Sequence, residues 1–280
     1  MSKKAKGKVQ SYQDLGSFFG RTQKFLLKRE FENNLFWEVK RLVLKRGVSG
    51  WAGNVFLDGR IVLSGMVTPT GYLLLSSGPR HALLRLVAYA KSKKLKIKGV
   101  TGPEQSVDCF CELWNGSVAS TGREGKSFMI YSISCRRFPP FPLSLALESV
   151  GPGSWPRIQA WTMQFARESI PPIQANALLA VTREMMADGN LFLLRKDGVA
   201  CGMGGFGRST PNSLVINEVF VPKEMRRQGH AADLISGLVA KAGERKVRNC
   251  ILFSDFEGPS NLYDSLGFVQ VGRFVEKGFR

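Results

Sequence analysis

Between Gln23 and Arg46 the apolar residues Leu27, Phe31, Leu35, Val39 and Leu42 recur every three or four positions. That spacing places one apolar stripe along a helix over 23–46, with Gly47 as its stop. The pattern then changes to short apolar runs. "NVFL" and "IVLSGMV" flank Asp58-Gly59, which predicts a hairpin, and "YLLLSS" follows as a third strand. "RHALLRLVAYAKSKK" reads as a helix, "KIKGV" as an extended run and "GPEQSVDCFCELW" as another helix. Residues 1–20, rich in lysine and then broken by glycine and serine, read as a tail. Residues 136–157 carry proline and glycine at both ends and read as a domain boundary.

Beyond that boundary, "IQAWTMQFARES" and "PIQANALLAVTREMMADG" have helical periodicity and are separated by Pro171-Pro172. "NLFLLRKDGVACGMGGF" predicts a hairpin turning at Lys196-Asp197-Gly198. "SLVINEVFV" reads as a strand, "GHAADLISGLVAKAGE" as a helix, "NCILFSDF" as a strand and "SNLYDSLG" as a short helix, and "FVQVGRFVE" closes the chain. Helices, a meander of strands, then alternating helix and strand make a mixed α/β (α+β) fold. The order of elements also repeats. The segment from Gly78 to Trp114 and the segment from Arg227 to Phe268 both run helix, strand, Gly-Pro, helix, and each opens on a His-Ala pair. This predicts two copies of one unit, each a mixed central sheet flanked by helices. The expected division is a basic tail over 1–20, an N-terminal domain over 21–140 and a C-terminal domain over 141–280.

Composition changes this picture in one respect. Of the net charge of +18, residues 1–100 carry +15, including five lysines within 91–98. Such a surplus attracts polyanions or an acidic partner. Five scattered cysteines make no disulfide framework and point to a reducing, cytoplasmic setting. No metal is expected, because Cys109 and Cys111 have no second pair and the chain holds only two histidines. No apolar run is long enough for a membrane span, and no secretory leader is expected.

The chemistry concentrates at "EMRRQGHAADLI", residues 224–235, where a strand ending at Pro222 hands over to a helix. The first amides of a helix lack intrahelical acceptors and sit at its positive end, so they bind anions. Gly229, Ala231 and Ala232 leave that backbone uncovered. Arg226 and Arg227 add charge and directed donors. A plain surface helix start is the competing reading of this stretch alone.

"VFVPKEMRRQGHAADLI" resembles the R/Q-x-x-G-x-G/A signature of the GCN5-related N-acetyltransferases, the GNAT superfamily, and "NLYDSLGF" is similar to that superfamily's closing motif. "GVTGPEQSVDCFCELW" and "WTMQFARE", with Trp161, Phe165 and Glu168, narrow the likeness to a group of two-unit, bacterial-type acetyltransferases. The resemblance covers roughly residues 70–280. It implies tandem GNAT-like units and transfer of an acetyl group from acetyl-CoA, as co-substrate, to an amine acceptor. It places the pantetheine arm along Val219, Phe220 and Val221 and the pyrophosphate on the amides of Arg226, Arg227, Gln228, Gly229, His230, Ala231 and Ala232. Tyr263 matches the family's tyrosine that protonates the leaving thiolate, and packing against Phe268 is its other reading. Glu218, an acid in an apolar strand, is the candidate base. Its other reading is a solvent-facing strand residue, and Asp255 is a rival base.

The chain departs from the family pattern twice. Ser260 stands where an asparagine usually touches the cofactor, and its hydroxyl is expected to take over that contact. In the first unit "SGPRHA" replaces "RRQGHA": Arg80 stands in place of the glycine, and Pro79 removes an amide donor. One working unit and one degenerate unit are therefore expected. The alternative function is a basic nucleic-acid- or ribosome-binding module with a relic transferase site.

Overall fold

The computed structural model describes residues 7–46, 50–116, 123–137, 145–169, 172–255 and 261–279. They fall into two compact units. One comprises Met1–Ile130, Phe253–Glu257 and Gln270–Arg280, and the other Tyr131–Leu252 and Gly258–Val269. Each contains a mixed sheet flanked by helices, as the alternation of periods in the sequence predicts.

The first unit holds β1 (Gly7–Tyr12), α1 (Leu15–Leu26), α2 (Asn34–Arg46), β2 (Ala52–Leu57), β3 (Arg60–Val67) and β4 (Tyr72–Leu75). It continues with α3 (Arg80–Ser92), β5 (Gly99–Pro103), α4 (Glu104–Asn115) and, as far as Ile130, β6 (Arg123–Ser134). The final strand of the chain, β12 (Val269–Gly278), joins this unit from Gln270 onward, and the strand order is β1-β2-β3-β4-β5-β12-β6.

Three expectations need correction here. Residues 7–12 are not tail but a strand, paired antiparallel with β2 through Val9 and Val55. The single helix expected over 23–46 is two helices separated by a 3-10 turn at Leu27–Arg29. Asparagines cause the break: buried Asn33 donates its side-chain amide to Leu26 O at 2.9 Å, and Asn34 donates to Phe31 O at 2.6 Å. Both compete with the helix for its own carbonyls. The first helix starts earlier than expected, where Asp14 Oδ1 accepts from Ser17 N at 2.8 Å and caps it. The buried stripe is consequently Phe18, Leu26, Phe36, Val39 and Val43, and of the expected stripe only Val39 is in it. Gly47 lies outside the described residues. Lastly, β12 does not close the C-terminal domain expected over 141–280. It pairs antiparallel with β5, from Phe274 opposite Pro103 to Gly278 opposite Gly99, and buries Phe274 and Val275 in the first unit.

The second unit runs β7 (Leu145–Ser149), α5 (Trp155–Glu168), α6 (Ala175–Ala187), β8 (Leu191–Lys196), β9 (Val199–Ser209) and β10 (Ser213–Phe220). It ends with α7 (His230–Glu244), β11 (Asn249–Ser254) as far as Leu252, and α8 (Leu262–Ser265), and its strand order is β11-β10-β9-β8-β7. The expected boundary over 136–157 contains β7, which pairs with β8 through Leu147 and Leu194. Residues 138–144 and Pro171 lie outside the described residues.

Both predicted Asp-Gly turns are present. Asp58 and Gly59 have φ of 47° and 78°, and Asp197 and Gly198 have φ of 50° and 77°. Two successive left-handed residues match the right-handed twist of the strands they join. The repeat is also present: β4–α3–β5–α4 and β10–α7–β11–α8 each cross a helix between two parallel, paired strands. Among the described residues, no helix is long and apolar enough to cross a membrane.

Candidate active site

The site is built on β10. Its pairing with β11 runs from Ser213–Asn249 to Val215–Ile251, so among the described residues Ile216 to Phe220 have no ladder partner on that side. On its other side β10 pairs with β9, but the register slips between Asn217 and Phe220. Asn217 faces Gly205 and Phe220 faces Met203, so Glu218 and Val219 together oppose the single residue Gly204. This is a β-bulge, which bends the strand and re-aims a side chain.

Glu218 sits in the bulge with φ of 53°, a conformation that costs a side-chain-bearing residue about 1–3 kcal/mol. It is 2% exposed, which excludes the solvent-facing reading. Its Oε2 accepts from Thr182 Oγ1 at 2.7 Å, and its Oε1 is buried without a hydrogen-bond partner. Burial pushes the carboxyl up to about 7, and the Thr182 hydroxyl offsets part of that rise. The rival base, Asp255, is exposed at the end of β11.

After Phe220 the chain turns at Pro222 through a 3-10 turn, Lys223–Met225, into α7. Gly229 is the N-cap of α7 with φ of 84°, no side chain caps the helix, and the space over its Cα is open for 4 Å. Arg227 is left-handed as well, with φ of 64°. Among the described residues, no N–H from Arg227 to Ala232 donates within the chain. A run of uncommitted donors therefore surrounds the positive end of α7.

The two arginines of the loop do different things. Arg227 is exposed and makes no ion pair among the described residues. Arg226, expected from the sequence as a directed donor for a ligand, braces the loop in this structure. Its Nε donates to Val221 O at 2.8 Å, its guanidinium pairs with Glu168 on α5, and it lies 5.7 Å from the centre of the Phe220 ring. Trp161 and Phe165 of the same helix pack on Phe220, with ring centres 6.2 and 6.3 Å apart. The W-x-x-x-F-x-x-E spacing puts all three side chains on one face of α5, and that face supports the strand end and the loop. Gln228 is exposed, Ala231 and Ala232 are half-buried, and His230 is turned inward at 6% exposure, its Nδ1 without a hydrogen bond and 4.0 Å from Asp233 Oδ2.

Tyr263 lies on α8, half-buried, with its ring between Tyr131 (5.5 Å) and Phe268 (6.0 Å). Asn261 caps α8 by accepting from Asp264 N at 2.8 Å, and its amide donates to Tyr131 Oη at 2.6 Å. Ser260 lies outside the described residues. Thr182 was not legible as a site residue. The available signal was a hydroxyl on the apolar face of α6 formed by Leu178, Leu179 and Met185, and it is fully buried.

The matching place in the first unit is closed. Gly78 N donates to Ser106 Oγ at 3.3 Å, Ser77 Oγ to Glu32 at 2.8 Å, and Pro79, the N-cap of α3, has no N–H. Arg80, standing where the second unit has Gly229, forms two bonds to Glu112 at 2.7 and 2.8 Å.

Residues 168–280 match the family described as "Acetyltransferase (GNAT) domain". This part of the chain is a GNAT domain. Among solved structures, a GNAT-family acetyltransferase from Colwellia psychrerythraea is similar over 98% of this chain and 100% of its own, with a TM-score of 0.58 and 13% identity. A GCN5-related N-acetyltransferase from Sphaerobacter thermophilus is similar over 80% of this chain and 79% of its own, with a TM-score of 0.53 and 18% identity. A tandem GNAT protein from the clavulanic acid biosynthesis pathway covers 98% of both chains, with a TM-score of 0.55 and 12% identity. At these identities the likeness is one of fold, and it agrees with tandem GNAT-like units. No curated protein matches the chain. The GNAT domain contains β10, its bulge and the α7 loop, and its last strand, β12, lies in the first unit from Gln270 onward.

Proposed function

We propose that the second unit transfers an acetyl group from acetyl-CoA directly to a primary amine. The observation that carries this reading is the run of uncommitted amides from Arg227 to Ala232 at the start of α7, within a GNAT domain. The pyrophosphate would rest on these amides, with Arg227 adding charge. The pantetheine would run along the edge of β10 that β11 leaves open, around Val219 and on to Val221, whose carbonyl already accepts from Arg226. Glu218 would take the amine's proton on Oε1 as nitrogen attacks the thioester carbon, and Tyr263 would protonate the departing sulfur. Because its glycine position is filled by Arg80, Pro79 has no N–H and Gly78 N is bonded to Ser106, the first unit is assigned no coenzyme.

Gly229→Trp tests the placement. The new side chain projects into open space, so the fold is expected to survive at a cost of about 1–2 kcal/mol for the left-handed backbone. The indole would cover the amides, and the loss of two charge-assisted hydrogen bonds weakens CoA binding by about 100-fold or more. Arg227→Ala, which removes one exposed charge, should weaken it far less. Calorimetry with CoA decides, and wild-type affinity in folded Gly229→Trp would rule the placement out. Mass spectrometry of amine pools incubated with acetyl-CoA and the protein identifies the acceptor.

The basic first unit is assigned to an anionic partner. Lys93, Lys94, Lys96 and Lys98 are exposed and make no ion pairs among the described residues. Reversing Lys93, Lys94 and Lys96 to glutamate is expected to lower the salt needed to elute the protein from an immobilised polyanion. Its affinity for CoA should stay the same. An unchanged elution salt would reduce these lysines to a solvated surface.

A further inference from the structure

Glu218 is held from behind by a short chain of hydroxyls that no part of the proposed reaction uses. Thr182 on α6 and Thr162 on α5 are both fully buried. Thr182 Oγ1 lies 2.7 Å from Glu218 Oε2 and 2.9 Å from Leu178 O, and Thr162 Oγ1 points at it from 3.4 Å. A hydroxyl has one hydrogen to give. With the Thr162 hydroxyl donating weakly from behind, Thr182 directs that hydrogen either to Leu178 O or to Glu218 Oε2. Leu178 O is one turn back on the same helix, where it already accepts the helix bond from the Thr182 backbone N–H. A buried carboxylate without a donor is far more costly than a carbonyl deprived of its second bond. The hydrogen therefore goes to Oε2 whenever Glu218 is ionised.

We propose that Thr182 is the positioning residue of the base: it anchors Oε2 and leaves Oε1, the buried oxygen without a partner, as the only atom of Glu218 that receives the amine's proton. The proposal rests on the transferase reading of the site. In the step it serves, the amine nitrogen's lone pair forms the bond to the acetyl carbon and its proton passes to Oε1. The C–S bond breaks, and the sulfur takes its proton from Tyr263. Oε2 keeps the Thr182 bond throughout, so the carboxyl does not rotate between two proton-accepting orientations. Among the described residues, burial raises this carboxyl and the Thr182 hydroxyl lowers it, and no charged side chain shifts it.

Thr182→Val keeps the shape of the side chain and removes the donor. In apo protein labelled with 13C at the glutamate carboxyl, with Glu218→Gln to assign the resonance, the Glu218 titration is expected to move up by about one to two pH units. Thr182→Ser, which restores a hydroxyl, should return it to the wild-type position. The acid limb of the kcat profile should move with the resonance in each variant. Should the valine variant not fold, Thr182→Ala, small and well tolerated within a helix, carries the same test. A folded valine or alanine variant with the wild-type titration overturns the proposal, as does a shifted titration with an unmoved acid limb. The resonance is read without coenzyme or acceptor. A protein that shifts its resonance on losing Thr182 but transfers no acetyl group to any amine would refute the proposed reaction and leave the hydroxyl–carboxyl coupling in place.

Discussion

Glu218→Gln is expected to lower kcat by about 10²–10⁴-fold at pH 8 while making the folded protein more stable at that pH. The first effect follows from losing the acceptor oxygen for the amine's proton. The second follows from burial. The carboxyl titrates at about 7 in the folded chain against an ordinary value of 4.5, so the folded state holds its proton more tightly than the unfolded state. Its contribution to stability is complete below pH 4.5 and is lost as the pH rises through 7. The loss approaches about 3 kcal/mol at pH 8. Glutamine cannot ionise and does not suffer this loss. Urea denaturation of both proteins at pH 5 and pH 8 checks it: wild type should weaken between the two and the glutamine variant should do so much less. Equal pH dependence would mean that Glu218 is not the buried acid described here, and unchanged turnover would remove it from the reaction. A residue that weakens the fold at the working pH, in a strained bulge, is what a functional site with a trade-off against stability looks like.

Tyr263→Phe is the second large effect. The phenyl ring keeps the contacts with Tyr131 and Phe268, so folding and CoA affinity should be nearly unchanged. The hydroxyl alone is lost. If it protonates the thiolate, kcat falls by about 10²–10⁴-fold, the range for a positioned general acid. The deficit should shrink with a thioester whose thiol is more acidic, because such a thiolate leaves without help. Full turnover in the phenylalanine variant would give Tyr263 a packing role only. Read together with Glu218→Gln, the two variants separate the proton-accepting from the proton-donating half of the reaction.

Much of this site is local in the chain, and so was legible there. The free amides need only a strand that ends, a glycine with φ of 84° and small residues behind it, all within "EMRRQGHAADLI". The position of Glu218 one strand-length upstream is also plain, but its partner is not. Thr182 lies 36 residues away on another helix, and a lone threonine on an apolar face does not reveal what it faces. Arg226 is a similar case. Its place in the motif suggested a ligand donor and gave no sign of its ion-pair partner Glu168, 58 residues earlier.

The sequence by itself determined the two Asp-Gly hairpins, the helices of the second unit, the repeated strand–helix–strand–helix order and the difference between an open "RRQGHA" and a blocked "SGPRHA". Each of these is decided by sterics and hydrogen bonding within a few residues, where glycine, proline and periodicity act directly. Only the tertiary structure decided the rest. The 23–46 segment broke because Asn33 and Asn34 found carbonyls to bond, the 7–12 segment became a strand because β2 offered an edge, and β12 paired with β5, a strand more than 160 residues earlier in the chain. The bulge that lifts Glu218 toward Thr182 arises from a register between β9 and β10 that neither strand specifies alone. Strand pairing and burial are properties of two segments at once, so a pattern read along one segment gives its period but not its partner.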